Sequence, residues 1–511
     1  MTHDSIIARK YRERLLADLH RPGYHFAIPD GDGVPGDSNG AFYADGRYHL
    51  MYLYRDMATD GFHWGHLSST DLLHWRNHPD ALAEEEGDRG CFSGGAFVDD
   101  DGTAYLTFWK FPSKDFTADN GGIDIAYAKP PYETWERIRP IAVNGSKEVW
   151  GTRDVVIDGE TVHLGCADPS NIWKMNGYYY MQLGNLCVLN EYGRKPDSPE
   201  IYKGDWTELF RSRDLKTWEF VHRFYANPHL GEDWPDETED DMCPSFLPLS
   251  DHKGGGRLTD KWLQLFIAHN KGGQYYVGTV EDETFYPTEH GRCSWKDNTC
   301  FAPEALVDHK NRQIAWFWLT DNREDELNTV GWTGVYGLPR EFWYDGGLRM
   351  APVQELDNLQ YNGQTFEVGK LSGCQPLEVK NGLSFRMKAH ILPGKANYVD
   401  FTVREDLENG ERTILRVDLE KKTLVMDAAK SGSQGRMICE EAPFALEEGE
   451  ALDVDIFVDH SVIEIYANDR QAICRRVYPS DPARATGVSA ASDGADFGTI
   501  NVWEMSPTNP Y

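Results

Sequence analysis

Long apolar runs, helical periodicity, paired cysteines and surplus positive charge are what this 511-residue chain has least of. No stretch approaches the roughly 18 consecutive apolar residues of a membrane helix, so a membrane is not expected as partner. Basic residues number 51 against 83 acidic ones, for a formal net charge of −32. That balance works against nucleic acid and anionic lipid surfaces. Nine cysteines lie scattered with no C-x-x-C pair. They read as reduced, buried thiols of a cytoplasmic protein, not as a disulfide framework. Met1 to His20 is rich in Arg, Asp and Glu and has no apolar core segment, which is not the pattern of a secretory signal. The 17 histidines show no metal-ligand spacing and read as loop and surface residues, so no metal or cofactor is expected. Gly31 to Gly36 matches G-x-G-x-x-G by letters, yet Pro35 and the polar residues after it permit no helix start, which argues against a dinucleotide site.

What the chain has instead is strand. Hydrophobic residues reach 40% and aromatics 13%, enough for a large core and against disorder. The length fits two or three domains. Helical spacing is confined to Ser5–Asp18 and, more briefly, Ala351–Leu359. Elsewhere one pattern recurs: a polar lead, an apolar strand, a tight turn and an aromatic-rich strand. Its first copy runs Asp37-Ser-Asn-Gly-Ala-Phe-Tyr, turn Asp45-Gly46, then Tyr48 to Tyr52. The second begins at Ser93 and turns at Asp101-Gly102. The third begins at Asp168 and turns at Asn176-Gly177. The fourth begins at Cys243 with a loop over 251–256, and the fifth at Ala302 with a turn at Lys310-Asn311. Asp-Gly and Asn-Gly between such strands are strong hairpin signals.

Five such units closing on themselves predict a five-bladed β-propeller, the alternative being an irregular sandwich with coincidental hairpins. After Gly363 only Trp503 remains of the tryptophans, and longer alternating strands predict a C-terminal β-sandwich. The expected division is an N-terminal helical segment at 1–22, the propeller at 23–352, a linker at 353–368 and the sandwich at 369–511.

In a propeller the innermost strands converge on the axis. Asp37, Ser93 and Asp168 share one register, so two distant carboxylates are expected to face one pocket. Facing carboxylates suit glycoside hydrolysis, one attacking and another handling the proton. The alternative is that both Asp side chains simply cap turns. The run Glu232 to Asp241 holds seven carboxylates in ten residues just before the fourth inner strand.

The order of short motifs resembles glycoside hydrolase family 32, the β-fructofuranosidases, levanases and inulinases. Asp37-Ser-Asn-Gly40 resembles the N-D-P-N-G nucleophile motif. Cys91-Phe-Ser-Gly94 resembles F-S-G, Ala167-Asp-Pro169 resembles R-D-P, and Cys243-Pro244 resembles the end of E-C-P. In the C-terminal part, Asp459 to Glu464 resembles D-x-S-x-x-E. The resemblance implies Asp37 as nucleophile and Asp168 as stabiliser of the developing positive charge. It places Asn39, Trp64, Phe92, Ser93 and Trp332 around the sugar. Two departures stand out: the family's Arg is Ala167, and its acid/base Glu is Met242, whose thioether has no proton to give. Asp240 and Asp241 are the expected replacements, with Glu239 and Glu304 behind them. Asp240 is preferred because it lies two residues back, on Met242's face of an extended segment.

The expected function is a retaining, exo-acting hydrolase of a β-fructofuranoside or related furanoside, with a small oligosaccharide or glycoside as substrate. A fructosyltransferase using the same covalent intermediate and a non-catalytic carbohydrate-binding protein are the alternatives.

Overall fold

Turn chemistry sets the local structure. Asp45 and Gly46 both sit at positive φ, 50° and 74°, and so do Asn176 and Gly177, 51° and 78°. Left-handed backbone at both central residues matches the right-handed twist of the flanking strands and locks the hairpin register. A computed structural model of the chain describes residues 13, 15–28, 33–85, 88–112, 122–140, 152–203, 205–226, 240–320, 332 and 334–509.

Copy one pairs Gly33–Ala44 with Arg47–Asp56, and copy two pairs Ala96–Val98 with Ala104–Pro112. Hydrogen bonding joins these two copies into one nine-stranded sheet through a parallel bridge between Phe62 and Gly90. Copies three, four and five each have a sheet of their own, of five, four and five strands. A two-stranded ribbon, Thr152–Ile157 with Glu160–Gly165, stands apart from them in hydrogen bonding.

Polar side chains close the ring of copies near its axis. Gly94 N–H donates to Asn39 Oδ1 (3.2 Å), linking copies one and two. The Thr107 hydroxyl donates to the Ser170 carbonyl (2.7 Å), and Asn171 exchanges two bonds with the Phe246 backbone. Ser245 donates to Glu304 Oε2 (3.1 Å), Ala41 N–H donates to Glu304 Oε1 (2.8 Å), and the Ser38 hydroxyl donates to the Ala302 carbonyl (2.8 Å). The last copy is thereby tied back to the first. A closed ring removes the open sheet edges that an isolated hairpin would expose. The unit is a β-propeller.

Beyond it, two six-stranded sheets pack face to face as a β-sandwich around Phe385, Ile391, Phe401, Leu415, Ile456 and Ile500. Inward apolar and outward acidic residues alternate at positions 452–456 of its strand Leu452–Asp459. The two units share one core, in which Phe457, Val462 and Tyr466 of the sandwich pack with Trp316, Tyr336 and Leu356 of the propeller side.

Several expectations change. Glu13 and residues 15–17 are helical, and the rest of the Ser5–Asp18 helix lies outside the described residues. The second expected helix is a 3₁₀ turn, Gln354–Leu359, because Ala351 and Pro352 finish the strand Leu348–Pro352. Residues 360–367, expected within the linker, form a strand paired with Thr499–Met505 of the sandwich. The histidines are not confined to loops and surface. His25, His49, His63 and His66 are buried, each with a polar side-chain partner. His49 Nδ1 meets His66 Nε2 at 2.9 Å, and His66 stacks on His78 at 4.5 Å. Burial first, then neighbouring positive charge, lowers the pKa of His49 to about 3 and that of His66 to about 2, so this cluster is neutral. No helix among the described residues is long and apolar enough to cross a membrane.

Candidate active site

The inner strands are not regular. Pairing slips between Asn39 and Phe42, between Ala167 and Pro169, between Met242 and Ser245, and between Phe301 and Glu304. At three of these slips the register residue sits at positive φ: Asp168 at 35°, Cys243 at 49° and Ala302 at 40°. Each precedes a proline. Such bulges re-aim a side chain, and holding a non-glycine residue there costs about 1–3 kcal/mol that the surrounding packing must offset.

The re-aimed side chains meet. Ser93 donates to Asp37 Oδ2 at 2.5 Å, and the Cys243 thiol lies 3.8 Å from that oxygen and 3.3 Å from Asp168 Oδ2. Register positions of copies one to four thus converge on one point, and both aspartates lie within reach of a single thiol. Neither acts as a turn cap. Burial pushes the Asp37 carboxyl above its ordinary range, against hydrogen bonds from Ser93 and Cys243 and the charge of His269. Burial and then the Asp37 charge push Asp168 up to about 7, with Cys243 and His269 acting the other way. The ionised Asp37 thus disfavours ionisation of Asp168. Burial and both carboxylates hold the Cys243 thiol protonated, so it serves as an S–H donor.

The flanking residues brace this pair. Tyr336 donates to the Gly36 carbonyl (2.9 Å) and more distantly to that of Asp37 (3.4 Å). Asn39 is buried and bonds the backbone of Asp37 and Gly94. Trp64 is fully buried and donates from its indole to the Phe92 carbonyl (3.2 Å). The half-buried Phe92 packs on Phe62 and Trp109, with ring centres 4.4 and 5.5 Å away. Trp332 is a correction. Its ring is buried in the shared core, its indole donates to Asp18 at 2.7 Å and Arg476 lies over its face.

The candidate acids separate as well. Asp241 is fully buried, its backbone N–H donating to Asn185 Oδ1 (3.1 Å); burial and then its charge raise Tyr225. Asp240 is buried too, but its carboxylate takes the His269 backbone N–H on Oδ1 (3.0 Å) and the His269 Nδ1 on Oδ2 (2.5 Å). Glu304 is the buried acid that ties copies four, five and one, and burial pushes it up to about 8. Glu239 lies outside the described residues. Ala167 and Met242, where the resemblance leads one to expect Arg and Glu, fall in one apolar cluster with Leu183 and Ile267. Among the described residues no group of His, Cys, Asp and Glu could hold a metal ion.

Comparison with known proteins identifies this assembly. The profile of the glycosyl hydrolases family 32 N-terminal domain matches residues 25–352, and that of the family 32 C-terminal domain matches residues 354–504. The chain belongs to glycosyl hydrolases family 32. It is a glycoside hydrolase. Similar sequences include a sucrose-6-phosphate hydrolase from Klebsiella pneumoniae, 27% identical with 92% of this chain and 91% of that protein covered. A levanase from Bacillus subtilis strain 168 is 25% identical, with 96% of this chain and 72% of that protein covered. Fructan 1-exohydrolase IIa from Cichorium intybus shares the fold, with a TM-score of 0.76 at 17% identity over 96% of this chain and 98% of that one.

For this family 32 enzyme, sequence reasoning passed over two residues of the site. Cys243 was noted as the start of the fourth copy and as part of a motif, but not as a site residue. His269 was set aside among surface histidines. The hairpin register could have revealed it: Met242 pairs with Ile267, so continuing two residues outward sets Asp240 opposite His269.

Proposed function

We propose that this family 32 enzyme is a retaining, exo-acting hydrolase of β-fructofuranosides. The carrying observation is the convergence of Asp37 and Asp168 on Cys243 at the ring axis. The names of the similar proteins, sucrose-6-phosphate hydrolase and levanase, support a fructosyl group as the sugar transferred. Asp37 attacks the anomeric carbon and forms a covalent glycosyl ester while the glycosidic oxygen departs. Asp168 offsets the positive charge that develops on the ring and holds its hydroxyls. Water then cleaves the ester and restores Asp37. Asn39, Trp64, Phe92 and Ser93 shape and brace the pocket wall. With Ala167 in place of an arginine, hydroxyl recognition on that side shifts to other groups, which favours small glycosides over extended polymers. Nine free cysteines support action in a reducing cytoplasm.

Asp37→Asn removes the nucleophile and keeps the side-chain shape. Turnover of sucrose, levan and inulin oligomers should fall by at least ~10³-fold, with sugar affinity within a few-fold. An unchanged rate would refute the nucleophile assignment. Analysis of the wild-type products separates hydrolysis, seen as free monosaccharide, from transfer, seen as longer oligosaccharides.

A further inference from the structure

A retaining hydrolase needs a proton donor for the leaving oxygen, and Met242 cannot be one. Among the described residues, the carboxyls first expected to replace it are committed elsewhere. Asp241 is buried beside Tyr225, and Glu304 bonds Ala41 and Ser245 at the ring's base. Asp240 spends both oxygens on His269. His269 itself directly follows the strand Leu258–Ala268, which pairs with the strand carrying Met242 and Cys243. Over half of its side chain, 53%, is open to solvent, while Asp240 beneath it is only 3% exposed. Phe301 packs edge-on against the imidazole at 5.9 Å, and Asn298 holds the His269 carbonyl at 2.8 Å.

Resting on the function proposed above, we infer that His269 is the catalytic acid and base of this enzyme, held in place by Asp240 as a positioning residue. The pair stands at the hairpin's end, two residues beyond the pairing of Ile267 with Met242, the neighbour of the register residue Cys243. With Nδ1 committed to Asp240, Nε2 is the nitrogen that gives and takes the proton. No hydrogen bond to Nε2 is present among the described residues.

The surrounding charges suit the task. Burial lowers the imidazole pKa, but the Asp240 hydrogen bond, the Asp240 charge and the charges of Asp168 and Asp37 outweigh it, and the net shift is upward. Arg194 lies 3.9 Å from Oδ1 of the pair's carboxylate, Asp240. In turn the His269 charge lowers the pKa of both Asp37 and Asp168. Imidazolium and nucleophilic carboxylate therefore favour each other's active forms. In the first step Asp37 Oδ bonds the anomeric carbon, the glycosidic C–O bond breaks, and the Nε2 proton passes to the leaving oxygen. In the second, neutral Nε2 takes a proton from water as its oxygen attacks the same carbon and the Asp37 ester bond breaks. Charge and protons return to the starting state.

The test compares His269→Gln and Asp240→Asn with wild type on sucrose and on an aryl β-fructofuranoside, whose phenolate leaves without protonation. His269→Gln should lower kcat/KM on sucrose by ~10²–10⁴-fold, lower it on the aryl substrate by less than ~10-fold, and abolish the alkaline limb of the pH profile. Added azide should recover aryl turnover of His269→Gln, since it attacks the ester without a base. Asp240→Asn removes the group that raises the imidazole, so its alkaline limb should move to lower pH with matching thermal melts. Sucrose turnover by His269→Gln within twofold of wild type, or an alkaline limb left in place, would overturn the assignment. Wild type inactive on every fructoside would instead strike the proposed function, and this inference with it.

Discussion

A carboxylate that must attack needs help to remain ionised once buried, and Asp37 draws that help from Ser93, His269 and Cys243. Ser93 is the closest, at 2.5 Å. Removing its hydroxyl withdraws a hydrogen bond to the charged form, worth about 1–1.5 kcal/mol, or about one pH unit. Because this bond lowers the Asp37 pKa, its loss raises it. The acidic limb of kcat/KM for Ser93→Ala should therefore move to higher pH, by up to about one unit, with the alkaline limb unmoved. Met242 and Ala167 belong to this scale too. Both side chains fill one apolar cluster, so the two departures from the family's motifs replace a polar wall by a packed one.

The element that makes the site is the broken inner strand. A regular strand sends alternate residues to opposite faces, and a slip re-aims one of them. In copy two the break falls between Cys91 and Ala96, where the backbone passes very close to its neighbour. A Cβ on Gly94 would stand 1.9 Å from the Thr107 carbonyl oxygen. Gly94→Ala must push that strand away, carrying Ser93 with it and breaking the bond to Asn39. The expected result is a loss of at least ~2 kcal/mol in denaturant unfolding together with a fall in kcat. A stable Gly94→Ala variant with normal kcat would show that the close approach is dispensable.

At the scale of the whole molecule, the propeller and sandwich are joined by a buried charge cluster. His25 bonds Asp459 through Nδ1 (3.0 Å) and Glu464 through Nε2 (3.2 Å), and Asp459 also accepts the backbone N–H groups of Gly23, Tyr24 and His25. Glu464 further accepts Leu338 N–H at 2.8 Å and the Tyr466 hydroxyl at 2.6 Å. These are the acidic residues of the D-x-S-x-x-E resemblance, and their work is structural. Burial lowers the His25 pKa, but the two carboxylates overcome it and raise it from 6.5 to about 9. Burial raises Glu464, but His25 and Arg340 bring it from 4.5 down to about 2. A raised histidine stabilises fully below 6.5 and loses its contribution as pH climbs to about 9. A lowered carboxylate stabilises fully above 4.5 and loses its contribution as pH falls to about 2. The junction is therefore strongest between these limits. His25→Gln strands two buried carboxylates and should cost about 3–5 kcal/mol near pH 5.5, measured by denaturant unfolding. The gap from wild type should shrink markedly at pH 9.5, and an equal gap at both pH values would contradict the charge-based account.

Short-range chemistry was enough to mark the hairpins, because Asp-Gly and Asn-Gly turns between alternating strands act within a few residues. Repetition of one hairpin at a shared register was enough to bring Asp37 and Asp168 forward as a pair, since ring closure maps equal registers onto one axis. The sandwich followed from the loss of tryptophan and the change in strand length after Gly363. Three things were decided only by tertiary structure. Trp332 went to the shared core, because its partner Asp18 lies far away in the chain. His25 became a buried clamp, because its two carboxylates come from the other unit. His269 met Asp240 because a hairpin brought together residues 29 positions apart. Side-chain environment depends on neighbours that chain order does not reveal, whereas turn geometry and strand alternation are properties of the local backbone.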